Sequence, residues 1–559
     1  MMRRRTALKI AALLVSAACG FAGAAPLIPY NSPPPPLDPK PTVDPRTVTL
    51  LDEALAAETD SARKCALLAD LGRCPSPAAD APVARAFADA DALVRAAAAR
   101  AALHRSPDLA RAAIEKLTAD ASPAVRSEIA RIAGQTGDDG RVADYVLDTD
   151  PAVAAAAVAG VCGPASEAAV IANFDRLPPR VQVTACGVLG RRKSSAAAAR
   201  IAEALRSPRL ALRVAAIDAL AAMKAVTRTQ IEEQSGHAAA VVRGAAARAA
   251  AALDDAGARH AISSRALADS DPAVRAAGAA AVGPIARSES IALLQQQLAT
   301  DYVPLRHAAR DALIAVAGNG ALRDTVILRA AALLGDSSAD RRIDGSYVLG
   351  ALKSNSAITA HMALLKDPDW RVVAQAATSL AAIGDPSAAP ALAATVDRAL
   401  VYDAALDPAQ TAARSTAGEQ AILACVAMGY AEVLKSTRTL YLYKLSDPPT
   451  RIAALYALGV LGRGEEAAAT LRSAVGLRAD PEDSIDSIAM AIKAIGNAGL
   501  VSEKPLLESI RSDRDAPPPY VHAAHLALDR LNGTSTPFVP AIPTRDIDTS
   551  IRALTPAAR

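Results

Sequence analysis

One pattern governs this chain. The string V-R-x-x-A-x-x-A-L-G, often preceded by D-P, recurs along most of its 559 residues. Clear copies begin at Val94-Arg95, Val125-Arg126, Leu212-Arg213, Val242-Arg243, Val274-Arg275, Leu305-Arg306, Arg341-Arg342, Val372-Val373 and Thr450-Arg451, with weaker ones at Val153-Ala154 and Val181-Gln182. Arg95 and Arg126 lie 31 residues apart, and the steps that follow, as far as Val373, run from 28 to 36. A unit this short cannot bury its own apolar face. It must stack on others of its kind, so the period dictates one repeat array rather than several separate globular domains.

Each unit reads as two antiparallel helices. In residues 290–317, Ile291, Leu293, Leu294 and Leu298 make one apolar stripe at helical spacing, and Ser290 suits the N-cap. Asp301-Tyr302-Val303-Pro304 then interrupts the chain, because proline cannot continue a helix yet is accepted in the first turn of the next. Leu305, Ala308, Ala309, Ala312 and Leu313 line the second helix, and Gly318 is placed to close it as a left-handed cap. Composition fits. Apolar residues are 52% of the chain but aromatics only 3%, so the core is built from Ala, Leu, Val and Ile. Alanine at helix contacts lets axes approach to about 8 Å. Strand-like runs of Val, Thr and Tyr are missing, which argues against a β chain. The expected fold is all-α, a solenoid (superhelix) of about fifteen two-helix repeats.

The pattern resembles the HEAT-repeat family, in the short form of about thirty residues known as PBS-lyase HEAT-like. The best single match runs from Asp367-Pro368-Asp369-Trp370-Arg371-Val372-Val373 to Gly384-Asp385, and it departs from the family where Val373 replaces the usual Arg. The resemblance covers roughly residues 47–533. It implies a scaffold that mediates protein–protein interaction through its exposed surface. In such repeats the Asp and Arg are structural and link neighbouring units along the stack. That role is carried over to Asp271 with Arg275 and to Asp447 with Arg451.

The ends of the chain read differently. Residues 1–24 have the parts of a secretory signal: Arg3–Arg5 and Lys9, a short apolar stretch Ile10–Ala18, and Ala22-Gly23-Ala24 as a small-x-small cleavage site. Ser16-Ala17-Ala18-Cys19-Gly20 offers a competing end, since it resembles a bacterial lipobox in which Cys19 is acylated. Both endings imply export, to the periplasm, to an outer-membrane lipid anchor or beyond the cell. Residues 25–46 are proline-dense and read as an extended linker. The array then divides into 47–400 and 419–533, separated by 401–418, which read as an irregular insertion loop with Pro408 and Gly418. Residues 534–559 read as an extended or disordered tail. No further segment is apolar for long enough to be a transmembrane helix.

Little in the sequence points to chemistry. The formal charge of +3 includes four cations within the first nine residues, so the remainder is near neutral and no nucleic-acid partner is expected. Beyond Cys19 stand Cys65, Cys74, Cys162, Cys186 and Cys425, without CxxC or Cys/His clusters, so neither a metal nor a cofactor is expected. Cys162 and Cys186 fall on what read as neighbouring parallel helices, where they are either small buried residues or a disulfide. His522 and His525 are three apart on a helix and read as surface polar residues. The HEAT-like deoxyhypusine hydroxylases hold di-iron with repeated His-Glu pairs, and this chain has no His-Glu dipeptide. The reading is a non-enzymatic scaffold in the bacterial cell envelope with an unidentified protein partner. The alternatives are a lyase-type enzyme or enzyme subunit on the same scaffold, or a binder of cell-wall polymer. Within the irregular region, Leu440 and Tyr443, three apart and facing away from the expected core, must be covered either by the adjacent 401–418 loop or by a partner chain, and with Tyr402 they form the candidate docking spot.

Overall fold

The computed structural model describes residues 45–401, 403–438, 440, 448–477, 485–513 and 515–534. Among them every regular element is a helix, from Pro45–Ala57 to Pro518–Leu531, with short 3-10 turns and no strand. The chain separates into two compact units, the first ending at Ser166 and the second beginning at Glu167.

In the first unit the helices Ser61–Arg73, Ala92–Arg105, Pro123–Thr136 and Pro151–Ala159 pack each on the next. Between them run shorter partners such as Pro107–Leu117 and Asp139–Tyr145, which pack on the helices that precede and follow them in the chain. The second unit repeats the plan, from Pro179–Arg191 through Leu210–Ala222, Ala240–Ala249, Pro272–Val282 and Val303–Ala317 to Pro518–Leu531. Its buried residues from Leu267 to Leu528 form one continuous apolar cluster rather than a separate core per repeat. Each fully buried Leu or Ile stabilises such a cluster by about 1.5–3 kcal/mol, so the array holds together by many equal contributions.

The final glycine of the repeat string explains how helices with so little bulk are packed. A methyl group added at Gly72 would stand 3.1 Å from Ala101 Cα, and one at Gly190 2.9 Å from Ala219 Cα. The same holds for Gly283 against Ala312, Gly459 against Ala494 and Gly496 against Ala527, at 2.8, 2.8 and 2.7 Å. Each pair joins the end of one second helix to the matching turn of the next, about one repeat on. The recurring offset means that successive second helices run parallel. Glycine there provides contact rather than chain reversal. Gly318, expected as a left-handed cap, has φ −60° and stays right-handed, with its amide donating back to Ile314 and Ala315 carbonyls. Left-handed caps occur at Gly137 and Gly384, both with φ 78°. Ser290 is likewise not an N-cap: it is buried inside helix Ser288–Gln297.

The segment 401–418 corrects the sequence reading most. From Pro408 onward it is helix and not loop, and only its described residues before Pro408 stay irregular. Asp407 caps a helix, accepting a hydrogen bond from the Gln410 amide at 2.7 Å, and Pro408 occupies the first turn of Pro408–Ala427. That helix has 20 residues where its neighbour Trp370–Ile383 has 14, and Ala389–Leu400 before it has 12 where Ile358–Leu364 has 7, so longer helices take up part of the extra length of this repeat. Gly418 is in its middle. A methyl there would approach Ala399 Cβ to 3.2 Å, so this glycine admits helix Ala389–Leu400 at close range. Proline and glycine, read as breakers, act here as a helix start and a packing site.

Candidate functional site

Where a D-x-D segment precedes a second helix, it divides its labour. The second Asp caps its own helix: Asp91, Asp150, Asp271 and Asp369 each accept from amides two or three residues on. The first Asp receives the arginine of the preceding repeat. Arg95 donates from Nε and Nη2 to Asp120 at 2.7 and 2.8 Å, while its Nη1 holds the Asp89 and Ala90 carbonyls of its own turn. Arg126 with Asp148, Arg243 with Asp269 and Arg342 with Asp367 repeat this bidentate geometry at 2.7–2.9 Å. The guanidinium of the preceding repeat holds the carboxyls of Asp120, Asp148 and Asp269 below the usual aspartate range.

Asp271 and Arg275 are therefore placed differently from the expectation. Asp271 is a cap and not a rung. Arg275 donates to the Asp269 and Ser270 carbonyls at 2.9 and 3.2 Å, and Thr300 stands where the next repeat would supply a carboxylate. In Arg213 the acceptor is the amide oxygen of Gln234, at 3.2 Å. Asp447 lies outside the described residues, and Arg451 is half-buried in helix Pro448–Leu461.

Around Arg306 the ladder becomes a buried ionic seam. Arg306 and Arg310 are 1% and 2% exposed, although Arg310 occupies the position that is a buried alanine in sister repeats, such as Ala279 or Ala130. Asp344, fully buried, meets Arg306 and Arg310, each at 3.3 Å. Asp340 pairs with Arg306 and, at 2.8 Å, with Arg371. Arg371 also binds Asp369 at 2.7 Å, and Asp369 accepts from Gln410 Nε2 at 3.0 Å. The Arg310 guanidinium lies 4.2 Å over the Tyr347 ring, and Arg398 lies 4.2 Å over Trp370, the only tryptophan of the chain. Beyond it a polar line continues through Ser346, Gln375 and Ser379, all buried, to His361. The two ring nitrogens of His361 face the Ala357 and Ser346 carbonyls at 2.9 and 3.4 Å. Burial holds its pKa below the ordinary histidine value, and the two carbonyls oppose that only in part.

Chemically, the seam pairs charge with charge. It fixes how the helices Val303–Ala317, Ala339–Ala351 and Trp370–Ile383 meet, since a shift of one turn would strand a buried ion. Single-sequence reading missed it because Arg310 and Asp344 fall inside the repeat string without disturbing its apolar period. The available signal was a charged residue at a position otherwise held by alanine.

The proposed docking spot fares poorly. Leu440 is 3% exposed and belongs to the main apolar cluster, so it is closed to a partner. It sits in a turn after helix Val433–Thr437, its amide bonded to the Thr437 carbonyl, and not on the helical face that put it opposite the core. Tyr443 and Tyr402 lie outside the described residues, as does Cys19. Cys65, Cys74, Cys162, Cys186 and Cys425 are all thiols, so Cys162 and Cys186 form no disulfide. Cys162 follows helix Pro151–Ala159 in a turn instead of lying on a helix, and burial pushes the Cys186 and Cys425 thiols up to about 12. His522 and His525 are exposed on helix Pro518–Leu531. Among the described residues no group of three or more His, Cys, Asp and Glu is placed to hold a metal, and no helix is long and apolar enough to cross a membrane.

A family model described as HEAT repeats matches residues 328–407, the stretch that contains most of the seam and its tryptophan. That stretch is similar to HEAT repeats. Solved structures carry the same fold over nearly the whole length. One is a chain from the structure of Kap95p binding to RanGDP, 13% identical, with a TM-score of 0.54 over 88% of this chain and 73% of that one. Another comes from the Kap95:Nup1 complex, 12% identical, also with a TM-score of 0.54, over 89% and 76%. At such identity the likeness is one of fold alone, here an all-α HEAT solenoid. No curated protein matches the sequence.

Proposed function

We propose that this chain is a non-enzymatic HEAT-repeat scaffold that binds another protein in the bacterial cell envelope. The observation that carries the reading is the way the buried ions are used. The carboxylates of the seam are answered by arginines from the same or adjoining repeats, so the polar interior builds the array rather than performing chemistry. What such an array offers is the outward side of its stacked helices. The fold neighbours are consistent with that use, since they come from structures of Kap95p binding RanGDP and of a Kap95:Nup1 complex. The envelope address rests on residues 1–24, with the signal-like Arg3–Arg5, the apolar stretch and the two competing ends at Ala24 and Cys19.

The test is in-cell cross-linking followed by capture of the full chain from envelope membranes and periplasm, with mass spectrometry of its N-terminus. The expected result is one protein partner recovered reciprocally, on a mature chain that starts at Ala25 or at an acylated Cys19. An intact Met1 in the cytosol, with no protein recovered above control, overturns the reading.

A further inference from the structure

An open cleft of about 260 Å³ lies between helix Val433–Thr437, the end of helix Pro448–Leu461 and the start of helix Gly464–Gly476. Its apolar walls include Leu434 and Leu458. Its charged lining is Lys435, Arg438 and Arg463 against one carboxylate, Glu466. The cations are not equally committed. Lys435 pairs with Glu432 and Arg438 with Glu466, but all four side chains are at least 59% exposed, and exposed pairs are weak enough for a new carboxylate to displace. Arg463 is different. Its Nη1 is pinned by the Val460 and Gly462 carbonyls at 2.9 and 2.8 Å, and no described carboxylate pairs with it. The guanidinium is thus held in place by neutral acceptors with its charge uncompensated. It is also the N-cap residue of helix Gly464–Gly476, whose first turn receives no side-chain cap from it.

We infer that this cleft is a docking site for an acidic peptide segment of the protein partner, an aliphatic side chain entering between Leu434 and Leu458 and a neighbouring carboxylate meeting Arg463. The inference rests on the scaffold reading and narrows it to one place and one partner chemistry. Charge complementarity carries it: an apolar slot with three cations and one anion favours a segment that is both apolar and acidic. A basic segment would bring like charge against Arg463.

Two labelled hexapeptides test this on the full chain: acetyl-Gly-Leu-Glu-Glu-Leu-Gly-amide and its twin with glutamine at both glutamate positions. The acidic peptide is expected to bind at least tenfold more tightly than the twin in low salt. Arg463→Glu should abolish the difference with an unchanged melting temperature. Should Arg463→Glu not fold, Arg463→Gln keeps a donor for the two carbonyls, removes the charge and should give the same loss. Equal affinity for the two peptides, or full acidic-peptide binding in a folded Arg463 variant, overturns the inference. Cross-linking in cells separates it from the scaffold reading. A partner captured equally by wild type and Arg463→Glu sinks the cleft and leaves the scaffold standing, whereas no partner for either removes both.

Discussion

At the level of single residues, the most consequential fact is that an ion pair replaces alanine in the middle of an apolar stack. Asp344 answers two buried guanidiniums at once, so its loss leaves both without their shared counter-charge. Asp344→Asn should cost on the order of 3–5 kcal/mol in urea unfolding. Replacing Arg306, Arg310 and Asp344 together by Met, Met and Leu should come close to neutral, because it removes the desolvated charges along with their pairing. A single Asp344→Asn within 1 kcal/mol of wild type would show that the seam does not bear on stability. His361 gives the array a dependence on pH. Its folded pKa is lowered by burial from 6.5, so an unfolded chain takes up a proton first as the pH falls. Its contribution to stability is complete above pH ~6.5 and is lost below it, down through the folded value. The melting temperature of wild type should fall between pH 7 and pH 5, and His361→Gln should flatten that slope. An unchanged slope in the variant assigns the acid sensitivity elsewhere. The ladder was half legible at this scale. The arginine of the ladder was legible because it recurs in register, but its acceptor was not. Both aspartates of D-x-D recur with the same period, and only geometry tells the cap from the rung.

At the level of helices, the period and the helix pair were plain in the sequence because alanine and leucine recur in step with proline and aspartate. What escaped was the meaning of glycine and proline, which depends on the neighbouring helix and not on local preference. Gly459 faces the Ala494 backbone at a range no side chain tolerates, so Gly459→Ala should destabilise by ~1–3 kcal/mol despite the higher helix propensity of alanine. Gly320, at the start of helix Gly320–Leu333, has nothing within 4 Å of the added methyl, and Gly320→Ala should be neutral or slightly stabilising. Thermal melts of the two variants decide. Equal effects would mean that glycine acts here through backbone entropy and not through contact. The same logic applies to Pro408 and Gly418, where a long helix stands in place of the expected loop.

For the molecule as a whole, the proposed scaffold draws stability and function from different faces. Within each unit several second helices meet the next through a glycine contact, an Arg–Asp rung or the buried seam, and in the proposed reading this leaves the outward residues free to vary with the partner. An array without a dominant core needs every repeat seated, and the repeat string supplies the same seat each time. The partner is the part that composition and period leave unwritten, since no repeat position encodes it. Reciprocal capture after in-cell cross-linking decides whether the array is a protein scaffold. One protein should come down from envelope fractions with the mature chain, and should recover that chain in turn when itself tagged. Capture of no protein above control, from a chain that still carries Met1 in the cytosol, would contradict the scaffold reading.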